Sequence, residues 1–174
     1  MTTIRPYRAD DAEAVFAAVD ESRNELMPWL PWCNEAYSIE DTRKWLEAQI
    51  SGFSSGTAYS FAICDHEGRF LGACGLSLIE KRNRVANLGF WVRRPATRRG
   101  VASEAVRQLV AWAFANTDFE RLEVLVSVEN VASKRVAEKS GAVPEGLLRH
   151  RIMLCGRSHD CVMYSFIRDD LKPA

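Results

Sequence analysis

Long apolar runs are missing from this chain: nowhere do about 18 uninterrupted apolar residues occur, the length a membrane-spanning helix of ordinary size needs. The opening MTTIRPYRADDAEAV also lacks the apolar stretch of a secretory leader, and a cytoplasmic protein is the expectation. Net charge is missing too. The 23 Lys and Arg balance 23 Asp and Glu, so no global field draws the protein to nucleic acid or to an anionic membrane, and any anion binding must be local. The five cysteines, Cys33, Cys64, Cys74, Cys155 and Cys161, form no C-x-x-C pair, and an odd number fits no complete disulfide framework. Small apolar core residues in a reducing compartment are expected instead. Two common phosphate motifs are absent: no G-x-x-x-x-G-K-[ST] and no G-x-G-x-x-G on a first strand-to-helix turn. Internal repeats, linkers and low-complexity segments are absent as well.

What is present is ordinary globular composition. With 174 residues, 47% hydrophobic and 26% charged, the chain is long enough for one sizeable core and short for two, and a single domain over 1–174 is expected. TIRPYR reads as a strand, and DDAEAVFAAVDES as a helix behind an Asp cap with Val15, Ala18, Val19 and Ser22 inward. NELMPWLPW, with two prolines and two tryptophans, suits an irregular connection or a short helix. SIEDTRKWLEAQI restarts a helix, Ser38 and Asp41 standing at capping-box spacing and Trp45, Leu46 and Ile50 on one side.

From Tyr59 the period changes to that of strands: YSFAIC, a turn at DHEG, RFLGACGLSLI, then VANLGFWV. An amphipathic helix comes next, with Ala102, Ala105, Val106, Leu109, Val110 and Ala113 on one stripe. RLEVLVSV is a strand, NVASKRVAEKSG a helix capped by Asn130 and stopped by Gly141, and RHRIMLCGRSHDCVMYSFI a closing hairpin. The pattern predicts an α+β fold: one mixed, mostly antiparallel sheet of about seven strands flanked by about four helices. A right-handed crossover makes the strand before Arg93 and RLEVLV parallel neighbours.

The segment joining VANLGFWV to the long helix holds Arg93, Arg94, Arg98 and Arg99, a local excess of positive charge in a neutral protein. A helix start offers unpaired N–H groups and the positive end of the helix dipole, and Gly100 lets a ligand approach the backbone. Together these suit a pyrophosphate. A solvated arginine loop before a helix with a permissive glycine is the plain alternative.

TRRGVASEA resembles the Q/R-x-x-G-x-G/A segment of the GNAT (Gcn5-related N-acetyltransferase) superfamily, and VENVASKRVAEKSGAVPEGLLR resembles a long pattern of its RimJ/RimL-like ribosomal-protein N-terminal acetyltransferase branch. NLGFWV and HDCVMYSFI resemble two strands of that branch, so that the likeness runs from about residue 3 to about residue 168. The resemblance implies the GNAT acyl-CoA N-acyltransferase fold, acetyl-CoA as cosubstrate, and direct transfer of acetyl to a primary amine without metal or covalent enzyme intermediate. It implies that backbone N–H groups of Arg99, Gly100, Val101, Ala102 and Ser103 hold the pyrophosphate, with charge from Arg98 or Arg99. It also implies that the strand carrying Phe90, Trp91 and Val92 splays from its neighbour to bond the pantetheine arm and polarise the thioester carbonyl, with Gly89 easing the departure. Such a donor contributes about 2.7–4 kcal/mol. Asn130 would bond the cofactor arm and Ser133 would lie near the thioester sulfur.

The branch's strand glutamate, a favoured base position, is Asn87 here, and an amide cannot accept the proton; Ala137 stands where other branches place a tyrosine acid. Glu80 is then the first candidate for the base and His150 the second, with His66 and His159 read as surface residues. Asn87 stays a candidate for acceptor binding. Met27, Trp29, Leu30 and Trp32 would wall an apolar groove for the acceptor, or simply pack. The branch points to a protein or peptide N-terminus; a small-molecule amine or amino acid is the alternative, and an idle acyl-CoA-binding module is a third class. Nucleic-acid binding through the arginines would need strongly salt-dependent affinity. Similar proteins also suggest a homodimer built on the closing hairpin.

Overall fold

The computed structural model describes residues 1–171. Its elements, in chain order, are β1 (Thr3–Pro6), α1 (Ala12–Glu21), α2 (Arg23–Leu26), α3 (Ile39–Ser55), β2 (Tyr59–Cys64), β3 (Phe70–Glu80) and β4 (Val85–Val92). After these come α4 (Val101–Asn116), β5 (Arg121–Ser127), α5 (Val131–Lys139), β6 (Val143–Leu154) and β7 (Arg157–Ile167). The seven strands form one sheet in the order β1-β2-β3-β4-β5-β7-β6. Every neighbouring pair is antiparallel except β4 and β5, the parallel pair anticipated from the helix between them.

Alternation along the strands sorts the core to two faces. Phe61, Cys74, Leu76, Leu88, Val124 and Tyr164 pack under α4, whose expected stripe of Ala102, Ala105, Val106, Leu109, Val110 and Ala113 is buried throughout. The opposite face carries Ala62, Cys64 and Ala73 against Val15, Ala18, Val19 and Leu46 of α1 and α3. No helix among the described residues is long and apolar enough to cross a membrane.

Two helix starts follow the local rules. Ser38 accepts from the Asp41 N–H and Asp41 returns a bond to the Ser38 N–H, the reciprocal cap that orders α3. Asn130 caps α5 by accepting from the Ser133 N–H at 3.0 Å, and Gly141, at φ 94°, follows its end. The Asp cap of α1 is different from expectation. Asp11 makes no capping bond to that helix; its carboxylate accepts from the Arg8 N–H at 2.8 Å and from both terminal nitrogens of Arg5, at 2.8 and 2.6 Å. Competition from a bidentate guanidinium diverts the carboxylate from the helix end. Four cysteines are buried as expected, but Cys155 is exposed in the β6–β7 turn. His159 is not at the surface either: it is buried, its Nδ1 3.4 Å from Ser127 Oγ.

Burial works against ionisation of Asp11, yet hydrogen bonds from Arg5 and Arg8 outweigh it and hold the carboxyl below its ordinary value. Asp11→Asn is expected to lower stability by about 2 kcal/mol in denaturant unfolding at neutral pH. Because the folded-state value is the lower one, this contribution is complete above the unfolded-state value of about 3.9 and fades as pH falls through the folded one. The gap between variant and parent should therefore narrow below about pH 4.

Candidate active site

The parallel pairing of β4 with β5 is short. Val85, Ala86 and Asn87 face Arg121, Leu122 and Glu123, and there the register ends, although β4 continues to Val92 and β5 to Ser127. The two strands form a fork whose last rung is Asn87–Glu123. On its other side β4 stays regularly paired with β3 as far as Gly72–Val92, one step beyond which the Arg93 N–H donates to the Leu71 carbonyl at 2.8 Å. In an antiparallel ladder bonded residues alternate. The odd-numbered residues of β4 therefore bond β3; the Leu88 N–H goes to the Glu123 carbonyl in the last rung, and Phe90 and Val92 turn their N–H groups toward the gap. Of the three residues expected to expose amides, Phe90 and Val92 do so and Trp91 does not. Gly89 shows no irregularity; it pairs squarely with Gly75.

Helices α4 and α5 each follow the C-terminal end of a fork strand, so both begin at its mouth, the usual place for a ligand at a topological switch point. At α4 the first intrahelical bond runs from the Glu104 N–H to the Gly100 carbonyl at 3.0 Å, leaving the N–H groups of Val101, Ala102 and Ser103 ahead of it. No side chain caps this end, Gly100 sits at φ 77°, and a Cβ built there would meet nothing within 4 Å. The backbone is bare where an anion would approach. Arg98 and Arg99 are exposed and make no ion pair among the described residues. Arg93 is committed elsewhere: its guanidinium clamps Glu21, with the closest contact at 2.6 Å, and ties the strand end to α1. The four-arginine cluster thus reduces to Arg98 and Arg99, with Arg94 exposed beside them. At α5, Asn130 and Ser133 are half-buried, and the Asn130 carbonyl oxygen is occupied by the cap.

On the sheet face away from α4 lies a cavity of about 640 Å³, floored by Gly75 and Gly89 and walled by Trp32, Trp45, Trp91 and Tyr37. Leu30 also lines it, whereas Trp29 and Met27 do not. The turns after α2 aim Leu30 and Trp32 inward, Trp29 is half-buried outside the lining, and Met27 is turned to the α1 core. A smaller cavity of about 440 Å³ adjoins the first, where Leu78 and Asn87 succeed Ser77 and Gly89. Glu80, Asn87 and Glu123 border it. Glu80 is exposed at the foot of β3 and accepts from the Asn83 side-chain amide. His150 is on exposed β6, its ring nitrogen 2.6 Å from Ser158 Oγ, and lines neither cavity.

Glu123 was not singled out from the sequence. Leu122, Val124 and Val126 mark the buried face of β5 and so place Glu123 on the other, but its register with Asn87 needs the fold. It is half-buried, and one carboxylate oxygen accepts from Arg121 Nε at 2.8 Å. The terminal nitrogens of Arg121 are taken by Glu145, whose carboxyl they lower to about 2 with help from Ser165.

A fork in a mixed sheet, an uncapped helix N-terminus at its mouth and a cavity beside β4 are the features that suit an extended ligand with an anionic end and leave room for a second one. Comparison with known proteins agrees. The model of the acetyltransferase (GNAT) domain family matches residues 2–143, and the chain belongs to that family. It is 26% identical over 155 residues to the ribosomal-protein-serine acetyltransferase of Escherichia coli (strain K12), covering 89% of this chain and 86% of that protein. It is 25% identical over 166 residues to the N-acetyltransferase YoaA of Bacillus subtilis (strain 168), covering 95% and 92%. Among solved structures, RimL, a ribosomal L7/L12 α-N-protein acetyltransferase in complex with coenzyme A, superposes with a TM-score of 0.90 at 25% identity, over 97% of this chain and 95% of that one. RimJ of Mycobacterium smegmatis, bound to a CoA disulfide, gives 0.89 at 23%, over 99% and 85%. The chain is an N-acetyltransferase with acetyl-CoA as its donor, in the expected seven-stranded fold.

If the α4 terminus holds the diphosphate, Gly100→Asp should weaken coenzyme A binding about tenfold or more relative to Gly100→Asn, as measured by calorimetry. Both side chains tolerate a positive φ, so the difference isolates the charge.

Proposed function

We propose that this protein acetylates the N-terminal amine of a protein or peptide. The support is the fork itself, whose open arm is flanked by a cavity wide enough for a chain end, together with relatives named for modification of ribosomal proteins. Backbone N–H groups from Arg99 to Ser103 hold the diphosphate, with charge from Arg98 and Arg99. The N–H groups of Phe90 and Val92 bind along the pantetheine arm and polarise the thioester carbonyl. Asn130 has its amide nitrogen left to donate, and Ser133 supplies the hydroxyl nearest the departing sulfur. The donor contributes one thing, an acetyl group on a good leaving thiolate.

An N-terminal ammonium must shed a proton before its nitrogen can attack. Glu123 takes that role better than Glu80. It stands on the last rung of the fork, held in place by Arg121, whereas Glu80 sits at the foot of β3 engaged with Asn83. Asn87, opposite Glu123, is placed to bond the acceptor or a relaying water. Glu123→Gln is expected to lower kcat about 100-fold or more with little change in coenzyme A affinity, the usual scale of a lost general base. An equal loss in Glu80→Gln with Glu123→Gln unaffected would return the role to Glu80. Thiol release from acetyl-CoA with peptide acceptors is the direct assay, and tight cofactor binding without release on any acceptor would leave an idle binding module.

A further inference from the structure

Building on the reading of the larger cavity as the acceptor site, we propose that the amine this protein acetylates adjoins a large aromatic side chain and has no carboxylate beside it. Three observations carry this. The first is shape. Gly75 and Gly89 face each other across β3 and β4, and a Cβ at Gly89 would meet nothing within 4 Å, so the void begins at the backbone next to the fork. A space of about 640 Å³ falls in the range that encloses a substantial organic group and is far more than a serine or alanine side chain fills.

The second is the lining. Trp32 lies 5.4 Å from Tyr37 and 6.2 Å from Trp91, ring to ring, and Trp45 joins them around the same void. Trp32 is 42% exposed and Trp45 37%, a large aromatic surface left to water that a planar apolar group would cover. Edge-to-face and offset contacts with such rings reward an aromatic occupant beyond simple burial.

The third is charge. Lys, Arg and His are all absent from the lining, and its one ionised side chain is the carboxylate Asp41. A free amino acid would bring its own carboxylate into this space with no cation to meet it, a costly desolvation. A peptide bond or a plain amine brings none. Gln49 fits that distinction: its carbonyl oxygen accepts from Ser60 Oγ at 2.6 Å, which leaves its amide nitrogen to donate to a neutral carbonyl. Two sources share this chemistry, a polypeptide beginning with an aromatic residue and a free arylalkylamine.

The test is thiol release from acetyl-CoA with four acceptors: two peptides identical but for Phe or Ser at the first position, phenethylamine, and free phenylalanine. The proposal predicts kcat/KM for the Phe peptide about tenfold or more above the Ser peptide, and phenethylamine well above phenylalanine. Trp32→Ala should narrow the Phe-to-Ser ratio. A faster Phe peptide than phenethylamine assigns the acceptor to polypeptides, and the reverse order to small amines. Turnover of the Ser peptide at or above the Phe peptide overturns this proposal and leaves the transferase reading standing. No release with any of the four overturns this proposal and the reading of the larger cavity as the acceptor site, while the family membership stands.

Discussion

The structure depends on a pairing that stops. β4 and β5 are held parallel through Asn87–Glu123 and then part, and the backbone groups left free along β4 must be bonded by something other than protein. Unpaired strand edges inside a sheet are costly to leave open, and here the helix after each strand keeps the opening. β4 runs into the Arg93 clamp on Glu21 and then into α4, while β5 runs into the Asn130 cap and α5. Each strand is anchored to a different helix, so neither can close on the other.

The same geometry gathers the chemistry. A right-handed crossover returns α4 from the end of β4 to the start of β5, so the N-terminus of α4 lies at the mouth of the gap, its N–H groups uncapped because Gly100 has no side chain to cap with. In the proposed reading, an anion at the mouth, an extended arm along Phe90–Val92 and an acceptor over Gly89 are successive stations on one path. Glu123 stands at the closed end of that path and the aromatic cavity beside it. Tyr7, packed edge-on against Trp45 at 5.1 Å, supports the wall of the cavity from the core side.

Much of this was legible in the sequence because local rules determine it. Strand and helix limits from Tyr59 to α5 follow from periodicity and from the Asn130 and Gly141 signals, and the parallel pair follows from the crossover rule; β6 instead begins at Val143, six residues before the hairpin read from the sequence, because its exposed first half carries no alternation. Resemblance supplied the role proposed for Gly100 and its neighbours. Long-range competition was not legible. Arg93 looked like part of an anion cradle until Glu21, 72 residues earlier in the chain, was seen to hold it. Asp11 looked like a cap until Arg5 claimed its carboxylate. Glu123 gained its position only from a register that no strand carries in its own sequence. Trp29 and Trp32 are indistinguishable by composition, and the turns after α2 alone decide which one meets the cavity.

The central claim, that coenzyme A binding completes the unpaired edge of β4, is tested most directly by amide hydrogen exchange with and without coenzyme A. The account predicts new protection concentrated at Phe90 and Val92 and at residues Arg99 to Ser103, with Leu88 and the odd-numbered amides of β4 already protected in the free protein. Protection confined to other segments, or no change at the fork when coenzyme A is bound, would contradict it.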